Sequence, residues 1–409
     1  MRRALLGLLV FACEVSVIGQ DREAAYRDRV DTLTDTLPGR VGGVTVDQTG
    51  FIYVADFGEK VWKITPQGDV KVFVESMYGA SGNSVDSRGN LIQSNFYGNF
   101  LARVSRAGEV SVIADKGLAG PVGVAADPQD NFYVCNCQGN TIAKVESGGE
   151  VTEFAKSDLL NCPNGITLVK NELFVVNFSD GLLLKVTEDG QVSELARLPG
   201  GGNGHITFAR GFLYATSFRG HKIHRISLSG QVTPFAGSGA KGTVDGEAPQ
   251  AQFSHPNGIA ASPQGNRLYI NDFLGSIGVF SDDAPTSVLR RIKLASLTDI
   301  FLNALNGEGL DAAIAAYHEF KRNTGAFTEV ETNALGYRLM TTGQLDAAVE
   351  VFKLNVGSYP NSFNVYDSLA ESYKNKGEKE LAIKNYKKSL ELNPNNTNAT
   401  NMLREIEGE

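Results

Sequence analysis

Polar residues recur at nearly constant spacing through the first two thirds of the chain, each at the end of a short apolar run. Their carboxylate, amide or hydroxyl groups belong to Asp56, Asn95, Asn136, Asn177, Ser217 and Asn271. The first five lie 39, 41, 41 and 40 residues apart, and the last gap, of 54, contains a glycine-rich insertion. Such groups can bind a polar ligand or a cation in a concave opening, but Asn and Asp also end strands because they satisfy turn backbone groups.

The spacing itself predicts the fold. Each polar residue is followed by another apolar strand, a turn glycine and an alternating strand such as VKVFV (70–74) or VTEFA (151–155). Four short strands in ~40 residues make one blade of a β-propeller, and blades bury their faces by stacking around an axis. We therefore predict a six-bladed β-propeller over residues 28–281. The alternating strand is missing after Phe280, and residues 29–34 match it, so we expect the N-terminal strand to complete blade six.

In a propeller, the innermost strand of each blade starts at the rim where the next strand ends. The polar residues should therefore surround one mouth of the axial channel. We predict ligand contacts from Asp56, Asn95, Asn136, Asn177 and Asn203. His205 replaces the glycine found at its position in the other five blades, so it is a candidate general base or ligand. A structural histidine bonded to a neighbouring loop explains it equally well.

The C-terminal part has a different period. Leu335, Gly336 and Pro360 are echoed 34 residues later by Leu369, Ala370 and Pro394. This period is typical of tetratricopeptide (TPR) helical hairpins. We predict a linker over 282–295 and an α-helical TPR solenoid over 296–409, with about two and a half hairpins, a capping helix after Asn395 and a helix start at Ser296. Its lysine run, from Lys374 to Lys388, indicates a solvated face or a clamp for an acidic peptide.

The N-terminus has the pattern of an export signal. Arg2 and Arg3 precede an apolar run over 4–12 that is too short to span a bilayer. We predict a signal peptide over 1–19 and a periplasmic or secreted protein. The alternative is a lipid anchor on Cys13, because VFAC resembles a lipobox. No other segment is predicted to cross a membrane, and the net charge of −8 without a basic stripe argues against nucleic acid as a partner.

Three cysteines remain after the predicted processing. Cys137 ends the second strand of blade three and Cys162 begins the first strand of blade four, so both should lie on one rim, whereas strand alternation turns Cys135 into the blade. Export permits disulfides. We predict a Cys137–Cys162 bridge, and no metal site made of thiolates.

Residues 235–272 contain AGSG, DG and PNGIA in that order, and this segment resembles the signature of NHL repeats. More broadly, residues 28–280 are similar to the gluconolactonase and senescence-marker-protein superfamily of six-bladed propellers. That resemblance implies a divalent metal on the propeller axis and hydrolysis of sugar lactones. Residues 296–409 resemble TPR domains, which implies a protein or peptide partner.

The metal site implied by this resemblance matches only in part. Asn164 and Asn257 each precede glycine, as the family's ligands do, and Asp272 adds a rim acid, so these three are the candidate ligands for Ca, Mg, Mn or Zn. The family's early Glu is absent, because Gly42 stands in its place. Two neutral amides bind hard cations weakly.

These observations leave the choice between binding protein and enzyme open. The leading hypothesis is an exported binding protein, with a small polar ligand or a peptide at the propeller mouth and a protein partner on the TPR domain. The alternative is a metal-dependent sugar-lactone hydrolase, and a structural scaffold is a third possibility. Fold resemblance alone does not fix activity.

Overall fold

The computed structural model describes residues 28–275, 285–324 and 328–408. The predicted signal peptide, residues 1–19 with Cys13, lies outside these residues. The described chain divides into two compact units, one ending at Leu294 and the other beginning at Ala295. Each unit has its own buried core.

The first unit is a propeller of six antiparallel sheets, with strands labelled in chain order. Blade one contains β2 (Val44–Val46), β3 (Ile52–Ala55), β4 (Val61–Ile64) and β5 (Val70–Val74). Blade two contains β6 (Ala80–Val85), β7 (Leu91–Asn95), β8 (Phe100–Val104) and β9 (Val110–Ala114). Blade three contains β10 (Pro121–Ala126), β11 (Phe132–Asn136), β12 (Thr141–Val145) and β13 (Val151–Lys156).

The remaining blades complete the ring. Blade four contains β14 (Pro163–Val169), β15 (Glu172–Asn177), β16 (Leu182–Val186) and β17 (Val192–Arg197). Blade five contains β18 (Asn203–Ala209), β19 (Phe212–Ser217), β20 (Lys222–Ser227) and β21 (Val232–Ala236). Blade six contains β23 (Pro256–Ala261), β24 (Arg267–Phe273), β25 (Pro285–Lys293) and β1 (Arg29–Pro38), with the short β22 (Gly246–Glu247) on the free edge of β1.

The ring closes through the N-terminal strand, as the sequence predicts. β1 pairs antiparallel with β25, in a register that runs from Arg29 opposite Lys293 to Pro38 opposite Pro285. The first strand of every blade contacts the first strands of both neighbours, so these six strands surround the axis. Apolar side chains fill the space between blades; for example, Ile92 of blade two and Phe132 of blade three belong to one buried cluster.

The predicted linker over 282–295 is wrong for most of its length, because residues 285–293 form β25. Arg290 and Arg291 in the middle of this strand hide its apolar pattern. The Arg290 side chain is nevertheless fully buried. It donates hydrogen bonds to the carbonyl oxygens of Val244 and Gln252 and to the carboxylate of Asp245, which satisfy its charge inside the protein.

The second unit is a stack of helices. They are α1 (Leu297–Glu308), α2 (Leu310–Thr324), α3 (Glu329–Thr341), α4 (Leu345–Ser358), α5 (Phe363–Lys376), α6 (Lys379–Leu392) and α7 (Thr397–Glu407). Ser296 is the N-cap of α1 and forms a capping box with Asp299, as predicted. The described helices form three hairpins and a capping helix, not two and a half, because α1 is a complete helix that packs along α2.

The small residues of the repeat allow the paired helices to approach closely. A Cβ at Gly336 in α3 would lie only 2.5 Å from Cε1 of Phe352 in α4. Gly336 is buried, and Phe352 belongs to the buried core of this unit. In the described part of the chain, no helix is long and apolar enough to cross a membrane.

Candidate functional site

In blades two to five, the polar residue that ends the second strand holds the incoming loop, which is the segment leading into the inner strand of the same blade. Asn95 Oδ1 accepts the N–H of Tyr78 at 2.9 Å, and Asn136 Oδ1 accepts the N–H of Ala119 at 3.2 Å. In blade four, Nδ2 of Asn177 donates to the carbonyl oxygen of Leu159 at 2.8 Å. The side chains are therefore occupied by backbone groups, the structural role that Asn commonly takes at turns.

Blade six shows the same arrangement one residue later than the sequence alignment suggests. Asp272, not Asn271, occupies the equivalent position, because Asp272 pairs with Pro256 as Asn136 pairs with Pro121. Its carboxylate accepts the N–H groups of Ser254 at 2.9 Å and His255 at 2.7 Å. Asn271 instead bonds backbone groups of Gly258 and Gly42 between the inner strands.

These findings correct the predicted ligand contacts. Asp56 accepts the N–H groups of Gly58 and Lys60 in its own turn. Asn203 is fully buried, and neither polar atom of its side chain has a hydrogen-bond partner among the described residues. A cavity lies at the mouth of the axial channel. Among the described residues that line it, none is one of the five predicted contacts, Asp56, Asn95, Asn136, Asn177 and Asn203.

The residue that follows each polar position faces the axial mouth. In five blades it is phenylalanine, and in blade three it is cysteine: Phe57, Phe96, Cys137, Phe178, Phe218 and Phe273. In blades two to six its N–H donates to the carbonyl oxygen just before the inner strand, for example from Phe96 to Gly79 at 2.8 Å and from Phe218 to Gly202 at 2.8 Å. The repeated backbone bond places the side chains around one opening. We call the five the rim phenylalanines.

The rim surrounds a cavity of about 420 Å³. Its lining consists of the rim residues together with Arg40, Val41, Ser81, Tyr97, Val122, Cys162, Asn164, His205 and Asn257. Four of the rim phenylalanines are half-buried, and only Phe273 is buried. The mouth therefore presents apolar aromatic surface rather than the ring of polar side chains that the sequence predicts.

The floor of this cavity contains three of the predicted residues, Asn164, His205 and Asn257. Nδ2 of Asn164 donates to the carbonyl oxygens of Asn203 and Gly204, at 3.1 and 2.6 Å. Nδ2 of Asn257 donates to those of Val41 and Gly42, at 3.0 and 3.2 Å. Each amide therefore ties its own blade to the next one.

His205 occupies an axial position that is glycine in the other blades. At Gly165 of the neighbouring blade, a Cβ would lie 2.6 Å from Cα of His205, so the inner strands leave no space for a second side chain. The N–H of His205 donates to Thr216 Oγ1 at 3.0 Å, and its imidazole has no hydrogen bond with any described residue. Burial lowers the pKa of His205 to about 4, so the ring is neutral at pH 7.

The structure joins Cys137 and Cys162 in the disulfide that the sequence predicts. The bridge occupies the place of a sixth rim phenylalanine and lines the cavity. The carbonyl of Cys162 also accepts the N–H of Phe178 at 3.0 Å, so the bridge helps to position the next rim residue. Cys135 is a buried free thiol, and burial raises its pKa.

The predicted metal ligands do not come together. Asp272 lies outside the cavity lining, where the buried Arg290 approaches its carboxylate to 3.6 Å. Burial raises the pKa of Asp272 to about 7, against the opposing effect of its hydrogen bonds and of Arg290. No cluster of three or more His, Cys, Asp or Glu within the described ranges could hold a metal ion. Two amide oxygens and a neutral imidazole near Arg40 fit a hard divalent cation poorly.

In the helical unit, the lysine run is largely paired with acidic side chains. Lys374 lies 2.7 Å from Glu405, Lys376 lies 2.9 Å from Asp346, and Lys388 lies 2.8 Å from Glu391. These pairs favour the solvated face over the clamp for an acidic peptide.

Together these features define a six-bladed β-propeller with an aromatic axial mouth, followed by TPR helices. The tetratricopeptide-repeat family matches residues 363–396. No curated protein sequence matches the chain.

Solved structures match the propeller. A gluconolactonase from Xanthomonas campestris is 15% identical, with a TM-score of 0.54 over 66% of this chain and 91% of that one. Auxiliary nutrient binding proteins from Bacteroides ovatus and Bacteroides thetaiotaomicron are 17% and 14% identical, with TM-scores of 0.54 and 0.55, each over 65% of this chain and 76% of the other. At such identities the likeness is one of fold.

Proposed function

We propose that this protein is an exported binding protein: its propeller mouth captures a small ligand with an apolar ring, and its TPR domain binds a protein or peptide. The observation that carries the first part is the set of rim phenylalanines, repeated at equivalent positions of five blades. Half-buried aromatic side chains around a concave opening leave apolar surface that a ligand can remove from water. A wholly polar ligand would not use this surface.

The chemistry of the floor favours binding over lactone hydrolysis. A lactone carbonyl must be polarised by a cation or by hydrogen-bond donors before water attacks it. The amide N–H groups of Asn164 and Asn257 are already donated to backbone carbonyls. These two amides therefore have no free N–H for an oxyanion, and we place the hydrolase second.

The binding proposal is tested with small neutral probes. We expect indole, phenol, benzamide or cyclohexanol to show saturable one-to-one binding by ligand-observed NMR and calorimetry. Phe178→Ala should weaken that binding by about three- to tenfold, because one aromatic contact is lost. Phe363→Ala is the matched control, since this exposed phenylalanine belongs to α5. If none of the probes shows saturable binding, the proposal is overturned.

The TPR part of the proposal rests on the repeat match and on the complete hairpin stack. Deleting residues 295–409 should abolish cross-linking to a protein partner in the native compartment, while Phe178→Ala should retain it. Equal cross-linking by the truncated chain would exclude the helices as the partner site.

The proposed location is an oxidising compartment outside the cytoplasm. Support comes from the Cys137–Cys162 disulfide on an accessible cavity wall, because such bridges persist in oxidising compartments. Cell fractionation should find the protein in the periplasm or medium, and Cys13→Ser separates secretion from lipid anchoring. Loss of membrane association in that variant would establish the anchor, and recovery of the wild-type protein in the cytoplasm would contradict export.

A further inference from the structure

The floor of the axial cavity exposes hydrogen-bond acceptors rather than donors. The amide groups of Asn164 and Asn257 must direct Nδ2 toward the neighbouring blade, because the partners there are carbonyl oxygens, which only accept. This assignment leaves each Oδ1 as the remaining polar atom. Among the described residues, no donor bonds to either oxygen, although both side chains line the cavity.

His205 adds a third polar group to this floor without adding charge. Its imidazole has no hydrogen bond with the described residues, and its burial keeps the ring neutral at pH 7. A neutral imidazole offers one acceptor nitrogen and one donor N–H. Acceptors therefore outnumber donors among the side chains of Asn164, His205 and Asn257.

The charged and polar groups around the cavity disfavour strongly ionic ligands. Within the described residues, Arg40 is the only charged side chain in the lining, and the carboxylates of Asp56 and Asp272 accept backbone hydrogen bonds elsewhere. A cation would lie near Arg40 without a counter-charge, which is costly in a partly buried site. An anion would place its own acceptors against the two amide oxygens.

We infer that the mouth selects neutral ring compounds that present a hydroxyl or N–H donor to Asn164 and Asn257. This inference rests on the proposed binding function and adds the chemical class of the ligand. The ring contacts the rim phenylalanines, and the donor reaches the floor. A cavity of about 420 Å³ has room for one or two fused rings.

Matched probe pairs test this selectivity in the full chain. Indole and N-methylindole have nearly the same apolar surface, but only indole donates an N–H; phenol and anisole form a second pair. We expect the donor of each pair to bind about tenfold more tightly, because the capped compound removes the acceptors from water without replacing their hydrogen bonds. Tryptamine and indole-3-acetate should both bind more weakly than indole.

Variants test whether the asparagines of the cavity floor cause the preference for donors. In an Asn164→Ala, Asn257→Ala double variant the preference for indole over N-methylindole should fall to about one. Asn203→Ala is the matched control, because this buried asparagine neither lines the cavity nor has a bonded side-chain atom among the described residues. If the double variant fails to fold, the ratio of the wild-type affinities for indole and N-methylindole still tests the donor selectivity.

The outcomes separate the two proposals. Equal binding of donor and capped probes, with both weakened by Phe178→Ala, would overturn the donor selectivity and leave the aromatic mouth standing. Tighter binding of tryptamine or indole-3-acetate than of indole would also overturn it. No binding of any probe would instead overturn the binding function itself.

Discussion

At the residue scale, adjacent positions at the end of each second strand perform different tasks. In blades two to six the polar residue holds the incoming loop, as Asn95 does by accepting the N–H of Tyr78. The next residue, Phe96, donates its own N–H to the same loop and turns its side chain to the mouth. Successive side chains of an extended chain point to opposite sides, so only one of the two can serve the cavity. The polar residue holds the backbone, and the residue that follows it faces the cavity.

His205 gives a pH prediction at this scale. Its pKa in the folded protein is lowered to about 4 by burial, below the ordinary value of about 6.5. The unfolded chain therefore binds the proton first. The stability that the neutral ring contributes is fully present above pH 6.5 and is lost as the pH falls toward 4.

Urea unfolding at a series of pH values measures this effect. Between pH 7 and pH 4, the wild-type protein should lose roughly 3 kcal/mol more of its free energy of unfolding than His205→Gln does. His224 and His255, whose pKa values burial also lowers, titrate in both proteins and cancel in the comparison. Parallel pH profiles for the two proteins would show that His205 does not titrate in this way.

The disulfide gives a second residue-scale prediction. Cys137 and Cys162 are separated by 25 residues, and a cross-link of this span restricts the unfolded chain by about 3 kcal/mol. Reduction should lower the free energy of unfolding by that order and weaken indole binding, because the bridge forms part of the cavity wall. A Cys137→Ser, Cys162→Ser variant should behave like the reduced protein and should not respond to dithiothreitol. If dithiothreitol does change the stability or the indole binding of that variant, the effect of reduction does not come from this disulfide.

The sequence located the mouth but assigned it to the wrong side chains. Asn164, His205 and Asn257 do line the cavity, because the start of an inner strand fixes their place. Asp56 and Asn95 do not, since their turns use the polar atoms. The signal for the true rim was present, as Asp, Asn or Ser is followed by Phe in five of six repeats. In a sequence, these phenylalanines are most simply interpreted as core residues. Only the backbone turn in the structure shows that they face an opening.

At the scale of elements, alternation identified the strands except where a buried charge interrupts it. The sequence predicts a linker over 282–295 because residues 282–285 interrupt the strand pattern after Phe280, and two central arginines hide the strand that residues 285–293 form. In the structure, Arg290 is fully buried beside Asp245 and Asp272, while Arg291 pairs with Asp31 of β1. Partners that are distant in sequence compensate these charges, and a local pattern cannot show them.

The closing strand β1 should be more important to the propeller than the whole helical unit. It pairs with β25 and buries Val30 and Leu37, worth about 1.5–3 kcal/mol each, and its removal exposes a free sheet edge. A chain lacking residues 29–38 should therefore lose several kcal/mol of propeller stability. A chain lacking residues 295–409 should keep the propeller transition.

One spectroscopic signal distinguishes these outcomes. Trp62 is the only tryptophan of the chain and lies in β4 of blade one, so its fluorescence reports propeller unfolding alone. If the urea midpoint shifts equally in both truncated chains, β1 does not contribute more to propeller stability than the helical unit does.

At the scale of the whole molecule, the two repeat periods were sufficient to predict the architecture. A spacing of about 40 residues predicts blades and one of 34 predicts helical hairpins, because each unit must bury its faces against the next. The period carries no information about chemistry, since propellers of this fold have different functions. The ligand depends on a few side chains at the axis, and the partner on helix surfaces that the repeat leaves free to vary.

The whole-molecule prediction concerns catalysis. We expect purified protein to bind Ca, Mg, Mn and Zn weakly and to show little or no turnover of sugar or aliphatic lactones. Asp272 is engaged by Ser254, His255 and Arg290, and Asn164 and Asn257 supply only neutral oxygens, so a bound cation would lack the charge that makes its water acidic. The assay uses a lactone panel with each metal added, beside the Asn164→Ala, Asn257→Ala variant and the Asn203→Ala control. Metal-dependent turnover that the double variant abolishes and the control retains would establish a hydrolase and displace the binding function.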